Sequence, residues 1–266
     1  MSISVPEFTV DIAKKAGAVL MEYFGTDLTH NIKTTKDDFY TEADIAAEKV
    51  VIDAIQREFP NDSILSEEAG FLGDKNAEYQ WIIDPLDGTY NFAHNEDEFG
   101  TMIARVKGKE LVAGVLYNPA KDQLAEAYKG EQVRLNGKGI EVNNNTTLLN
   151  ASPAIGILLK HNDDKLMIEI DNRLNGLGLN TGSMHSAIGN TFAMLTSQKN
   201  CWLINMAYPC DIAPTQFILQ QAGMLVRTVD DVEVDWETHK EIMIYAPPGL
   251  YEELRDMVVE IKKGLV

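Results

Sequence analysis

Between Val5 and Phe24 the apolar residues Phe8, Ile12, Ala16, Val19, Leu20 and Phe24 fall three or four apart, the spacing of one helical face. Gly25 follows at once and predicts the stop. Residues 40–60, YTEADIAAEKVVIDAIQREFP, repeat the pattern through Ile45, Val50, Val51, Ile55 and Phe59, with Pro60 as the breaker. Two amphipathic helices are therefore predicted, the second with Asp44 near its start. From residue 63 the apolar runs shorten and are punctuated by glycine, proline and asparagine: SILSEEAG, YQWIIDPLDG, FGTMIARVKGKELVAGVLYNPAKDQLAEAYKG and EQVRLNGKGIEV. Turn signals at Lys107-Gly108-Lys109 and Asn118-Pro119 make the middle of this region an antiparallel meander.

Beyond the polar tract NNNTTLLNAS the texture changes to short strands alternating with helices, including SAIGNTFAMLTSQ and APTQFILQQAG. The tract is the expected linker, which divides the chain into an N-terminal α+β half, residues 1–150, and a C-terminal α/β half, residues 151–266. Helices, a meander and then alternating elements suit stacked α and β layers around a shared core.

At 266 residues, with 45% hydrophobic and 24% charged residues, the chain has the make-up of an ordinary globular protein. No apolar run is long enough for a membrane-spanning helix, and the start MSISVPEFTVDIAKK lacks a secretory signal. A cytoplasmic protein without membrane partners is expected. Cys201 and Cys210 are too few for a disulfide framework and read as buried thiols. A net charge of -18, with scattered basic residues, argues against nucleic acid as a partner. It is compatible with a solvated acidic surface or with carboxylates gathered around cations.

The chemistry concentrates at WIIDPLDGTYNFAH, residues 81–94. Pro85 cannot donate to a strand ladder, so the strand is expected to stop after Ile83 and present Asp84 and Asp87 at its edge. Gly88 then permits a tight turn, and Thr89 can open a helix whose free N–H groups favour an anion. Two carboxylates for cations beside donors for an anion suit a phosphate bound through metal ions. Taken alone, the same residues are also good turn formers. Asp44 and Asp211 equally read as helix caps, with Pro214 in the same first turn as Asp211. His94 reads as structural rather than as a general acid, and Glu68 is as well explained as a solvated neighbour of Glu67 as by a role of its own.

In order along the chain, DFYTEAD, SEEAG, DPLDGT, GVLYNPAKDQLAEAYKGEQVRLNGKGIEV and CDIAPTQFILQQAGMLV resemble the successive motifs of the inositol monophosphatase family, over residues 38–226. These metal-dependent, lithium-sensitive phosphatases belong to a larger group that includes fructose-1,6-bisphosphatase. The Asp-Pro-x-Asp-Gly-Thr pattern alone would arise by chance at about one starting point in a few million at residue frequencies of roughly 5%. The resemblance implies an αβαβα five-layer sandwich, a homodimer, and Mg²⁺-dependent hydrolysis of a small phosphorylated metabolite. It implies two to three ions: one on Glu67, Asp84 and the Leu86 carbonyl, one on Asp84, Asp87 and Asp211, and a weaker one near Glu67. Phosphate would lie against the N–H groups of Gly88 and Thr89, and Glu67, Thr89 and Asp44 would orient the attacking water. The alternative function is a catalytically silent relative that binds metal as a regulatory module.

The substrate end departs from the family pattern. Cys210 stands where the family has tryptophan before the late aspartate, and Pro214 where it has alanine. The family's inositol-contacting glutamate has no counterpart carboxylate here; CWLINMAYPCD offers Asn205, or Ile204 when counted without a gap. MHSAIGNTF offers Gly189, Asn190 and Thr191 as the sugar-binding region. A sugar phosphate other than that of inositol, 3′-phosphoadenosine 5′-phosphate, and NADP are open as substrates.

Overall fold

The computed structural model describes residues 3–33, 39–143, 146–148, 155–158, 165–179, 181–182, 184–205, 207–238 and 241–265. The boundary expected near residue 150 falls outside them. The first half contains α1 (Val5–Tyr23), β1 (Asn31–Ile32), β2 (Phe39–Tyr40), α2 (Glu42–Glu58), β3 (Ser63–Ser66), β4 (Gly70–Leu72), β5 (Tyr79–Asp87) and α3 (Thr89–Ala93). It continues with β6 (Gly100–Lys107), β7 (Glu110–Asn118), β8 (Gln123–Tyr128), β9 (Arg134–Leu135) and β10 (Lys138–Gly139). The second half contains β11 (Ile155–Leu158), α4 (Lys165–Gly176), α5 (Ala187–Leu195), β12 (Cys201–Ile204), α6 (Pro209–Gln221), β13 (Leu225–Thr228), β14 (Met243–Ala246) and α7 (Pro248–Gly264).

Strands β3 to β10 form one eight-stranded sheet in the order β10-β9-β8-β7-β6-β5-β3-β4, antiparallel except where β3 runs parallel to β5. A four-stranded sheet, β11-β12-β14-β13, has one parallel pair, β11 with β12. Side chains alternate across a strand, and β5 uses both faces. Trp81 and Ile83 pack with Phe8, Ile12 and Ile55 of α1 and α2, whereas Ile82 faces a cluster with Phe192 of α5 and Phe217 of α6. The unbroken apolar run before Asp84 follows from burial on both sides. In β12, Trp202 and Ile204 face that same middle cluster, and Cys201 and Leu203 face α4 and α7. The resulting layers are α1/α2, large sheet, α5/α6, small sheet, α4/α7, the expected αβαβα sandwich.

Two local expectations are corrected. The strand does not stop after Ile83: β5 runs through Pro85 to Asp87, with a bulge that sets Asp84 opposite Met102 and Asp87 opposite Gly100. The extra residue lies where the ladder is interrupted, so the missing proline N–H costs no sheet bond; the Pro85 carbonyl accepts from the Thr101 hydroxyl at 2.9 Å. Pro214 is not in the first turn of its helix either. α6 begins at Pro209, which leaves Pro214 in the interior.

Candidate active site

A cleft of about 140 Å³ opens where the C-terminal end of β5 meets α5 and α6, lined by Glu67, Asp84, Asp87, Gly88 and Thr89 from the first half and by Ser186, Ile204, Tyr208 and Asp211 from the second. Carboxylate oxygens of Asp84, Asp87 and Asp211 lie within 4.8 Å of one another. Asp84 and Asp87 are 2% and 7% exposed, Asp211 is half-buried. Such a cluster of buried like charges is unfavourable without protons or cations between them. Burial, then the neighbouring Glu67, Asp87 and Asp211, drive the Asp84 carboxyl well above its ordinary range. Burial, then Asp211, raises Asp87 to about 7 against the donors that stabilise its charge.

Those donors come from a distant part of the chain. Asp87 accepts from the Ser186 hydroxyl at 2.5 Å and from the backbone N–H groups of Ala187 and Ile188 at 3.1 and 2.8 Å, so it sits on the N-terminus of α5. Ser186 also caps that helix through Gly189 N–H at 3.0 Å. Asp84 accepts from Leu86 N–H at 3.0 Å, an Asx turn inside the bulge. Asp211 accepts from Tyr208 N–H at 2.9 Å. The capping and turn readings are thus realised locally by the same carboxylates that converge in the cleft.

Gly88 adopts φ 79° as the residue before α3. A Cβ there would stand 2.6 Å from the Glu98 carbonyl oxygen, so the turn at the cleft floor has room for glycine alone. The next residue, Thr89, donates its hydroxyl within reach of two acceptors, the Leu86 carbonyl at 3.1 Å and Asp44 Oδ1 at 3.3 Å. Asp44 is held from the other side by Thr41 N–H and hydroxyl at 2.8 and 2.7 Å, the capping box of α2. Its burial raises the carboxyl to about 7.

Glu67 projects from the turn after β3, and two residues that sequence reasoning passed over position it. Buried Glu48 of α2 accepts from the Ser66 hydroxyl at 2.5 Å and from the N–H groups of Glu68 and Ala69 at 3.2 and 2.9 Å. Lys33 Nζ pairs with Glu67 at 2.9 Å and also with Glu68. A glutamate on the buried face of an amphipathic helix was the available signal for Glu48; nothing in the spacing of Ser186 or Lys33 marks them.

The substrate-side candidates fare differently. Gly189 and Asn190 are buried within α5 and do not line the cleft; the Asn190 side-chain oxygen accepts from Lys199 at 3.0 Å instead. Asn205 is 6% exposed and is not among the lining residues, whereas Ile204 is, so the ungapped count finds the residue that faces the cleft. His94 stacks on Tyr90 at 4.1 Å and its Nδ1 lies 2.8 Å from the Tyr90 carbonyl, a local contact outside the cleft lining.

A family model of the inositol monophosphatases matches residues 3–263. The chain belongs to the inositol monophosphatase family. The Nus factor SuhB of Pasteurella multocida is 39% identical over 139 residues, a stretch that spans about half of each chain, 51% of both. The fructose-1,6-bisphosphatase/inositol-1-monophosphatase of Thermotoga maritima is 28% identical over 96% of both chains. The solved structure of a Thermotoga maritima inositol monophosphatase superposes with a TM-score of 0.86 at 26% identity, covering 98% of both chains. Family membership thus extends over both halves of the sandwich, including every element that contributes to the cleft.

Proposed function

We propose that this chain is a Mg²⁺-dependent phosphomonoesterase acting on a small phosphorylated metabolite. The observation that carries the reading is the convergence of Asp84, Asp87 and Asp211, drawn from both halves, beside the N-terminal turn at Gly88 and Thr89. The donor set fits the cation: hard carboxylate oxygens, those of Asp84 and Asp87 buried and raised in pKa by that burial and by neighbouring carboxylates, are what a small divalent ion neutralises. Glu67, Asp84 and the Leu86 carbonyl would hold one ion, Asp84, Asp87 and Asp211 a second, with a third weaker position at Glu67. Mg²⁺ bound there would supply charge neutralisation for the phosphoryl group and acidify a water.

The chain's own residues do the rest. Gly88 and Thr89 N–H groups would receive phosphate oxygens, with the rigid glycine turn fixing the approach. Asp44, by accepting the Thr89 proton, leaves a lone pair on the Thr89 hydroxyl turned outward to accept from the attacking water. Glu67, tethered through the turn that Glu48 holds, would orient that water from the second side. Attack in line with the ester oxygen then needs neither cysteine nor histidine. Lithium sensitivity and a homodimer are proposed on the family resemblance.

Release of inorganic phosphate from inositol phosphates, fructose 1,6-bisphosphate, 3′-phosphoadenosine 5′-phosphate and NADP, with and without Mg²⁺ and Li⁺, tests the reading. Mg²⁺-dependent release that Li⁺ inhibits is the expected result. Release from none, with Mg²⁺ still bound, would favour the silent metal-binding module.

A further inference from the structure

We propose that Lys199 is a positioning residue for the metal centre, acting through Ser186, and that its ammonium and the Asn190 amide form a clamp that fixes the start of α5 against Asp87. The inference rests on the reading of the acidic cluster as a Mg²⁺ site. Neither residue lines the cleft, and both are buried, Lys199 at 5% and Asn190 at 0% exposure. A lysine buried to that degree needs acceptors for its charge. Lys199 finds two: its Nζ donates to the Gly182 carbonyl and to Asn190 Oδ1, the latter at 3.0 Å. Burial lowers this ammonium to about 8, which leaves it mostly charged at neutral pH, and a charged donor makes the stronger bond.

One of the two oxygens is in the chain that leads into α5, the other within α5 itself. The Met184 N–H donates to the same Asn190 Oδ1 at 3.4 Å. The Met184 carbonyl accepts at 2.8 Å from Nδ2 of fully buried Asn91, which also donates to the Glu98 carbonyl at 2.7 Å. By donating to the Asn190 oxygen, Lys199 decides which end of that amide faces Met184. Next to Met184, His185 holds φ 52°, a left-handed backbone that a residue with a Cβ adopts rarely and keeps only where its surroundings fix it. Ser186 follows. Its hydroxyl donates to Asp87 at 2.5 Å and caps α5, whose Ala187 and Ile188 N–H groups reach the same carboxylate. Lys199, Asn190 and Asn91 therefore grip the chain immediately ahead of the groups that set the Asp87 oxygens.

The direction of the effect separates this role from plain electrostatics. A cation near an acidic cluster repels Mg²⁺, so loss of the Lys199 charge would by Coulomb's law alone tighten Mg²⁺ binding. Loss of a clamp on Ser186 would weaken it, because the groups that orient a metal ligand govern affinity by about tenfold or more.

Mg²⁺ titration calorimetry and thermal unfolding of the full chain test the clamp in the wild type, Lys199→Met, Ser186→Ala and the double variant. Ser186→Ala should raise the Mg²⁺ Kd by about tenfold, and Lys199→Met, one step further out, by about fivefold. Combined with Ser186→Ala, Lys199→Met should add less than it does alone, since both act on one carboxylate. Unchanged or tightened Mg²⁺ binding in a folded Lys199→Met, or a fully additive effect in the double variant, would overturn the inference and leave the phosphatase reading intact. Should Lys199→Met not fold, Lys199→Gln, which keeps a neutral donor, is read by the same criteria. The expected shifts in a chain that releases no phosphate would support the clamp and overturn the phosphatase reading. A wild type that binds no Mg²⁺ would overturn both.

Discussion

Asp87 concentrates the chemistry of the cleft in one side chain. Both of its oxygens accept from the start of α5, and it still faces Asp84 and Asp211 at ligand distance. Asp87→Asn removes the charge at nearly constant volume; relief of the like-charge repulsion opposes the loss of one acceptor facing the start of α5, so the fold should persist with a melting temperature changed by only a few degrees. Phosphatase activity should be abolished in the same variant, as phosphate release and thermal unfolding measured side by side would establish. At Asp44 the same exchange acts differently. An amide nitrogen toward Thr89 cannot accept its hydroxyl proton, so Thr89 loses the orientation that presents its lone pair. For Asp44→Asn we expect kcat to fall about 100-fold with a smaller change in KM; a KM effect alone would contradict the positioning role. That turn and cap residues also gather around the cleft is hidden in the sequence by the adequacy of the simpler reading: an Asx turn explains Asp84, and a capping box explains Asp44.

Among the elements, helix N-termini carry the second half's contribution. α5 delivers Ser186 and two N–H groups to Asp87, and α6 delivers Asp211. Ser186→Ala would lose both a helix cap and a hydrogen bond to a carboxylate. It should cost about 1 kcal/mol of stability and weaken Mg²⁺ binding, checked by denaturant unfolding and by titration calorimetry. Glu48→Ala, which frees three donors around the turn of Glu67, should cost about 1–3 kcal/mol. The amphipathic helices, the meander and the acidic motif of β5 were legible because each is written in local spacing. The bulge is not: a proline within a strand reads as a terminator, whereas a one-residue offset lets the strand continue with its ladder interrupted only locally. Nor could spacing disclose that Ser186 meets Asp87, 99 residues away, since that contact is made by the packing of α5 on the sheet. Ile204 is recoverable, because β12 alternates and turns Trp202 and Ile204 toward the middle layer, at whose edge Ile204 lines the cleft.

The whole molecule is a layered sandwich, and the cleft lies where the C-terminal end of β5 meets α5 and α6, so carboxylates far apart in the chain are gathered at one point. Asp44 and Asp87 titrate near 7 and Asp84 is raised as well, against about 3.9 for an unfolded aspartate. Each therefore binds its proton more tightly when folded; for Asp44 and Asp87 the associated stability is present below about pH 4 and lost as pH rises through about 7, and Asp84 acts in the same direction. Melting temperatures of the metal-free protein should fall between about pH 5 and pH 8. Mg²⁺ should restore them by a margin that grows with pH, because the cation binds the deprotonated cluster and releases protons. Among the described residues no helix is long and apolar enough to cross a membrane. The claim that most needs testing is that the carboxylates of the two halves act together as a hydrolytic centre. Phosphate release from the best substrate of the panel, measured as Mg²⁺ is added back to chelator-treated protein, addresses it directly when wild type, Asp87→Asn and Asp211→Asn are run in parallel. Release should rise with Mg²⁺ in the wild type and be absent in both variants despite intact folds. Release without added metal, or wild-type rates in either folded variant, would contradict it.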